Sequence, residues 1–494
     1  MKEKNHQVAM MKNIYSTAAK VIVYLGDEDG DMGYLRRCIS IAPTVIRSLK
    51  KSLLHGSLLL ESMARELELT PNELVRILSN FANRTGFHRA WAVQEFCLAR
   101  KVEFVIGPYK FTVDQLFAIN SMATYALPNR IELFSGFYYM CSLTESRIQD
   151  SEVGDLTGEN RTRECKDPRD KVFSLIGLYS DSIAHSIFPD YGETVENVYT
   201  NLVLKSIEAS KSLTILGQTW FSPLAEQGAL PSWVPDWRRI YEFQLNLPAD
   251  LFSASHSPAR TKHHPDREEL EVSGNALDSV RCTCPSVFPF FNRARDTGEW
   301  RSNNEEGIEQ KLSDWIGFVH RECETFYRFS EKELFEALAR TLFQNGIIHG
   351  HLDLVNRHTR LLTVSEVSAI VMHSWLVYKG RPASSSSAPE RPRCLRLASL
   401  DSYKPTQPQL AQAITGITKA SAGRKLFVTQ QGYMGTGPYY HEAGDLTCIL
   451  RGSALPCALR PNNGRYLFIG ICYVHGAMNG EGEDEEKTQE FRLI

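Results

Sequence analysis

The sequence predicts an α/β region, a mainly helical middle and a small C-terminal antiparallel β unit. Three observations carry that reading. Helical periodicity over residues 4–19 runs into a short apolar stretch, Val21-Ile-Val-Tyr-Leu25, that stops at Gly26. A second helical stretch, residues 87–100, leads into Lys101–Ile106, which stops at Gly107-Pro108. After residue 420 the texture changes to short β-rich runs separated by glycine and proline.

In the first helix Val8, Met11, Tyr15 and Ala18 recur at three- and four-residue steps. A continuous apolar run after such a helix reads as a strand buried on both faces of a parallel sheet. The two runs are therefore expected to be neighbouring parallel strands. Residues 27–69 are acidic at first and then helical. Thr70-Pro71-Asn72-Glu73 is a capping box with proline in the first turn, followed by Leu74, Val75, Leu78 and Phe81 on one face. Asp167-Pro168 is read as opening a further helix and Thr194 as capping another. Pro231-Ser-Trp-Val-Pro-Asp-Trp237 holds two prolines and reads as a tryptophan-anchored connection. Residues 305–380 look mainly helical, and Arg381–Arg393 is the clearest linker or exposed loop. Lys425–Thr429, Leu446–Leu450 and Tyr466–Val474 are the C-terminal strands, and the acidic Glu481–Glu486 is expected to fray. The boundaries drawn are 1–110, 111–240, 241–380, 381–393 and 394–494.

Composition narrows the function. At 494 residues the chain holds several packing units, and its 43% hydrophobic and 23% charged residues are those of a globular protein. A net charge of −3 gives no electrostatic case for nucleic acid or an anionic membrane. The polar start lacks a signal-peptide core, and the longest apolar stretch, Tyr466–Met478, is too short to span a bilayer. Eleven scattered cysteines suit a reducing compartment, cytoplasmic or nuclear, and a cytoplasmic location is expected. Asp27, Asp29 and Asp31 have calcium-loop spacing, but Met32 and Cys38 stand where such a loop needs glycine and glutamate. They read as a solvated acidic loop. His263-His264 and His349-Gly-His351 lack supporting ligands, so no metal site is expected. No P-loop, nucleophile elbow or dinucleotide fingerprint occurs.

The most informative segment is Phe87-His-Arg-Ala-Trp91-Ala-Val-Gln94-Glu95-Phe-Cys-Leu98-Ala99. On a helix Phe87, Trp91, Glu95 and Leu98 share a face, and the remaining faces are apolar too. A carboxylate there must be paired, hydrogen-bonded or protonated. Glu95 is thus either a structural carboxylate or a functional one.

Several segments together resemble the fungal heterokaryon-incompatibility (HET) domain and the regions that follow it. They are Glu3-Lys-Asn-His-Gln7-Val with Ile14-Tyr15, the strand ending Leu25-Gly26, and Arg89-Ala-Trp91-x-Val-Gln94-Glu95-x-x-Leu-Ala99. Downstream, Asp167-Pro168-Arg169-Asp170-Lys-Val-Phe with Gly177-Leu178, Pro189-Asp190-Tyr191 and the Pro231–Trp237 stretch are similar too. So are Gly432-Tyr433-x-Gly435-x-Gly437-Pro438, Gly444-Asp445 and Tyr473-Val-His475-Gly476. The Tyr-x-x-Leu-Ser-Tyr-x-Trp-Gly type strand that opens such domains does not occur. The resemblance therefore implies an incomplete domain entered at its second helix.

That family is associated with non-self recognition and programmed cell death, with protein partners such as other HET or NOD-like proteins. It is also remotely similar to Toll/interleukin-1-receptor (TIR) domains, some of which cleave NAD with a glutamate in a Trp-x-x-x-Glu setting. The resemblance implies Glu95 as the catalytic candidate, with Trp91 and Asp27 as substrate-binding companions. Asp27 lies at the carboxyl end of a strand, where open α/β sheets bind ligands. NAD would be a substrate, and no cofactor is implied. Three readings stand: an interaction and signalling protein, an NAD glycohydrolase impaired by its missing strand, and an inactive remnant.

Overall fold

The computed structural model describes residues 2–49, 56–126, 153–219, 221, 230–239, 252–287 and 421–494, with short segments between 291 and 420. The 381–393 linker, His349–His351 and most of 305–380 lie outside the described residues. No described helix is long and apolar enough to cross a membrane.

The chain opens with α1 (Lys2–Thr17), β1 (Val21–Tyr24), α2 (Met32–Leu49), α3 (Gly56–Glu66), α4 (Pro71–Ala82) and α5 (Ala90–Cys97). β2 (Val102–Ile106), β3 (Tyr109–Phe111) and α6 (Val113–Ala126) follow. β1 and β2 are parallel neighbours, Val21 opposite Val102, as expected from their apolar runs. β3 folds back antiparallel on β2, giving a three-stranded sheet in the order β1-β2-β3. The capping box forms: Thr70 Oγ1 accepts from Glu73 N–H at 3.3 Å, and Glu73 accepts from Thr70 N–H at 2.8 Å. Val23, Leu25, Leu78, Phe81, Phe87, Phe96 and Phe104 form the core of this unit.

A helical segment comes next, with α7 (Val153–Asn160), α8 (Asp170–Phe173), α9 (Asp181–Ala184) and α10 (Val195–Ser210). Thr194 caps α10 through Asn197 N–H at 3.1 Å. Asp167-Pro168 opens only the four-residue α8, because glycine and short 3₁₀ turns follow at once. Trp233 and Trp237 are fully buried, with their indole N–H groups donating to Glu268 O and Gln218 Oε1.

The C-terminal unit departs from expectation in three ways. First, residues assigned to the mainly helical middle are strands: β4 (Thr261–His264) and the 15-residue β5 (Glu269–Thr283). Two short hairpins also lie in that region, β6 (Phe291–Arg293) with β7 (Trp300–Ser302), and β8 (Gly346–Ile348) with β9 (Thr359–Leu361). Second, the β unit is a nine-stranded assembly, not a small one. It adds β10 (Arg424–Thr429), β11 (Met434–Pro438), β12 (Leu446–Leu450), β13 (Cys457–Asn462), β14 (Arg465–Ile471), β15 (Tyr473–Val474) and β16 (Gln489–Leu493). The pairings run β12-β13-β14-β16-β5, and β5 pairs back onto β12, so these five strands close a barrel. Register shifts within the β12–β5 and β13–β14 pairs mark the bulges that bend its wall. Third, the acidic tail does not fray. Glu483 accepts from Ser255 Oγ and His256 N–H, and Asp484 N–H donates to Asn275 in β5.

Candidate functional site

α5 is apolar all round because it serves two cores. Ala92 and Phe96 pack under the β1–β2 sheet. Val93, with Trp91 against it, packs into a second cluster that holds Val172, Phe173, Tyr199 and Trp237. Glu95 lies between these faces, with its side chain 17% exposed. The Tyr15 hydroxyl hydrogen-bonds to it, and Arg89 Nη2 stands 3.8 Å away. Burial, with the charge and hydrogen bond of Glu95 added, pushes the Tyr15 phenol up to about 12. Tyr15 belongs to the last turns of α1, which lead into the amino end of β1. Glu95 therefore sits on the α1 side of the sheet. α5 runs antiparallel to β2, which carries its later residues back toward the amino ends of the strands.

The carboxyl end of β1 is organised separately. Gly26 turns the chain at φ +102°. Arg84 then donates to Leu25 O at 3.1 Å and to Asp27 O at 2.9 Å. Arg76 grips Asp31 in bidentate fashion at 2.9 Å, and Asn80 adds a third bond. The Arg76 hydrogen bond, more than any other favourable contact, holds the Asp31 carboxyl below its ordinary value. The acidic loop is thus latched to α4 at Asp31 rather than freely solvated. The Asp27 side chain is exposed and accepts from the Tyr24 hydroxyl. The structure brings Trp91 and Glu95 together on one helix but gives Asp27 a different set of partners. The cavity among Asp29, Asp31, Asn80 and Arg84 is about 10 Å³, room for one water and not for a nucleotide.

The remaining motif residues weld α1 and α5 to the helical segment. Asn5 Nδ2 donates to Asp190 at 2.8 Å, and its Oδ1 accepts from Tyr191 N–H at 3.1 Å. Lys4 lies 3.3 Å over the Tyr191 ring, and Lys12 pairs with Asp181 at 3.1 Å. Arg169 bridges Asp167 to the carbonyls of Tyr191 and Glu193. Buried Gln94 presses on Gly177, where an added Cβ would stand 2.1 Å from Gln94 Nε2. Glycine is required there by close approach, not by backbone conformation.

Two family models match. Residues 1–95 match the heterokaryon incompatibility protein (HET) model, and residues 409–494 match the Het-6 beta-barrel domain. The chain thus carries a HET-domain segment at its start and a Het-6-type barrel segment at its end. A curated relative, "Heterokaryon incompatibility protein 6, OR allele" of Neurospora crassa, is 23% identical over an alignment covering 100% of this chain and 81% of the relative. No solved structure matches.

The barrel match omits β5, the strand that closes the barrel. Sequence reasoning missed it as well, although Leu270 and Val272 alternate with polar residues at its start. Arg424 of β10 is fully buried and donates to Thr436 O and Ile471 O at 2.9 and 2.8 Å. His441 is buried beside it, its ring stacked edge-on to Phe427 at 4.6 Å. Burial, assisted by the Arg424 charge, pushes the His441 imidazole down to about 3, so it stays neutral. On the barrel's outside an open groove of about 490 Å³ is lined by Phe221, Lys425, Tyr440, Glu442, Arg460 and Leu467, among others. Arg460 is committed to Asp445 at 2.8 Å. The groove is of a size that admits a peptide side chain. Among the described residues no group of His, Cys, Asp and Glu could hold a metal.

Proposed function

We propose that this chain acts in non-self recognition and programmed cell death as an interaction and signalling protein, in contact with protein partners such as other HET or NOD-like proteins. The observation that carries the reading is one continuous core. Val8 of α1 and Val93 of α5 share a cluster with Tyr199 and Trp237 of the helical segment and with Leu459, Phe468 and Phe491 of the barrel. A close-packed core transmits displacement rather than absorbing it. A partner bound at the barrel would then bias the arrangement of α1 and α5. The odd, scattered cysteines support a reducing, cytosolic setting for this role.

The rival reading is a TIR-like NAD glycohydrolase using Glu95, with Trp91 and Asp27 on the substrate. What favours it is that Glu95 keeps partial solvent access one turn after Trp91. Against it stand the engagement of Glu95 by Tyr15 and Arg89 and the separate siting of Asp27. Incubating the purified full chain with NAD and measuring nicotinamide release separates the two. The interaction reading expects no release above buffer. Release that Glu95→Gln abolishes in a folded protein would establish the enzyme instead.

A further inference from the structure

The two edges of the N-terminal sheet are not alike. β3 is three residues long, carries exposed Lys110 and runs directly into α6, the usual ways of blunting an edge. Among the described residues β1 is the other edge. Val21 N–H donates to Lys101 O at 2.9 Å, and Leu25 N–H to Val105 O at 2.8 Å. In a parallel pair alternate residues address the neighbour. The N–H and C=O groups of Ile22 and Tyr24 therefore point away from β2, to the open edge. The side chains alternate as well. Val21, Val23 and Leu25 are buried, whereas Ile22 and Tyr24 are 56% and 55% exposed. Parallel strands are normally covered on both faces, and open edges normally carry a charge, a proline or a bulge. Residues 21–25 have none of these.

We propose that β1 is the contact strand of a symmetric homodimer, pairing antiparallel with β1 of a second copy so that two sheets become one. The edge is self-complementary in a single register. With Val23 on the two-fold axis, Ile22 of each copy faces Tyr24 of the other, and each such pair exchanges both backbone hydrogen bonds. Both pairs are then β-branched against aromatic on the exposed face, a favourable cross-strand combination. The same register sets exposed Lys20 opposite Gly26 of the second copy, beside the exposed Asp27 and Glu28. Lys20, which pairs with Glu103 at 3.1 Å within one copy, would there come within reach of these carboxylates as well. A shift of two residues either way faces Tyr24 with Lys20 or Ile22 with Gly26 and loses the match. An edge this short buries less than the roughly 1,200 Å² of a stable interface, so the dimer forms only at raised concentration.

Sedimentation velocity of the full chain over a wide concentration range tests this. The parent should pass from monomer to dimer, with slowed amide exchange at Ile22 and Tyr24. Ile22→Lys with Tyr24→Lys sets like charges opposite each other and should stay monomeric. Ile22→Lys with Tyr24→Glu sets Lys against Glu across the axis and should regain the dimer. Both double variants change exposed residues, and matching circular dichroism checks their fold. A parent monomeric at every concentration overturns the proposal, as does a dimer that survives the double-lysine variant. Failure of the lysine–glutamate variant to regain the dimer overturns the pairing, as does a heterologous strand found on the edge in place of a second copy.

Discussion

At the scale of single residues, the motif around Trp91–Glu95 is accounted for by packing and hydrogen bonding. Gln94 fits because position 177 has no side chain, so Gly177→Ala should destabilise the fold by about 1–3 kcal/mol, an overpacking cost. Denaturant melts of Gly177→Ala, Gln94→Ala and the double variant check it. The double should fall short of the sum of the singles, because removing the Gln94 amide relieves the clash. Tyr15→Phe should cost about 1 kcal/mol through the lost hydrogen bond to Glu95 and leave the secondary structure intact. Asp31 gives a pH test. Its folded carboxyl lies below the ordinary value of 3.8, so its contribution is fully present above 3.8 and is lost as pH falls from there through the lower folded value. Asp31→Asn should therefore be less stable than the parent at neutral pH, and the difference should shrink in acid. A gap that stays constant with pH would contradict the Arg76 latch.

At the scale of elements, β5 bears the greatest structural burden. It pairs with β4, β10, β12 and β16. Gly274 permits this, since a Cβ there would stand 2.4 Å from Ile449 O of β12. Gly274→Val should open the β5–β12 seam and make the barrel sensitive to limited proteolysis, while α4 and the sheet of β1 and β2 keep their protection. The same strand shows where sequence reading runs out. β1, β2, the Thr70 box and the glycine-bounded C-terminal strands announce themselves through apolar runs, a capping pattern and turns. β5 does not, because its closest neighbours demand Gly274 and its buried Ser273 and Asn275 are polar. The apolar alternation of Leu270 and Val272 therefore breaks midway. Glu95 was legible as a carboxylate on an apolar helix. Which end of the sheet it occupies was not, because that depends on α5 running back against β2.

At the scale of the whole molecule, two segments matched at opposite ends of the chain are joined by one core. The helical segment supplies the join, with Tyr199 stacked edge-on to Trp237 at 4.8 Å and Ser232 N–H donating to the terminal Ile494 carbonyl at 2.9 Å. If that core carries the signal, Val93→Asp, which buries a charge where it packs, should uncouple the ends as well as destabilise the protein. Glu95→Gln keeps size and hydrogen-bonding capacity and should leave the coupling intact. The most direct measurement is killing in fungal cells that express the full-length protein at matched levels, comparing the parent with Glu95→Gln. Equal killing by the two is the expected result. Loss of killing in Glu95→Gln, with the protein folded and abundant, would contradict it and make Glu95 the seat of the chemistry.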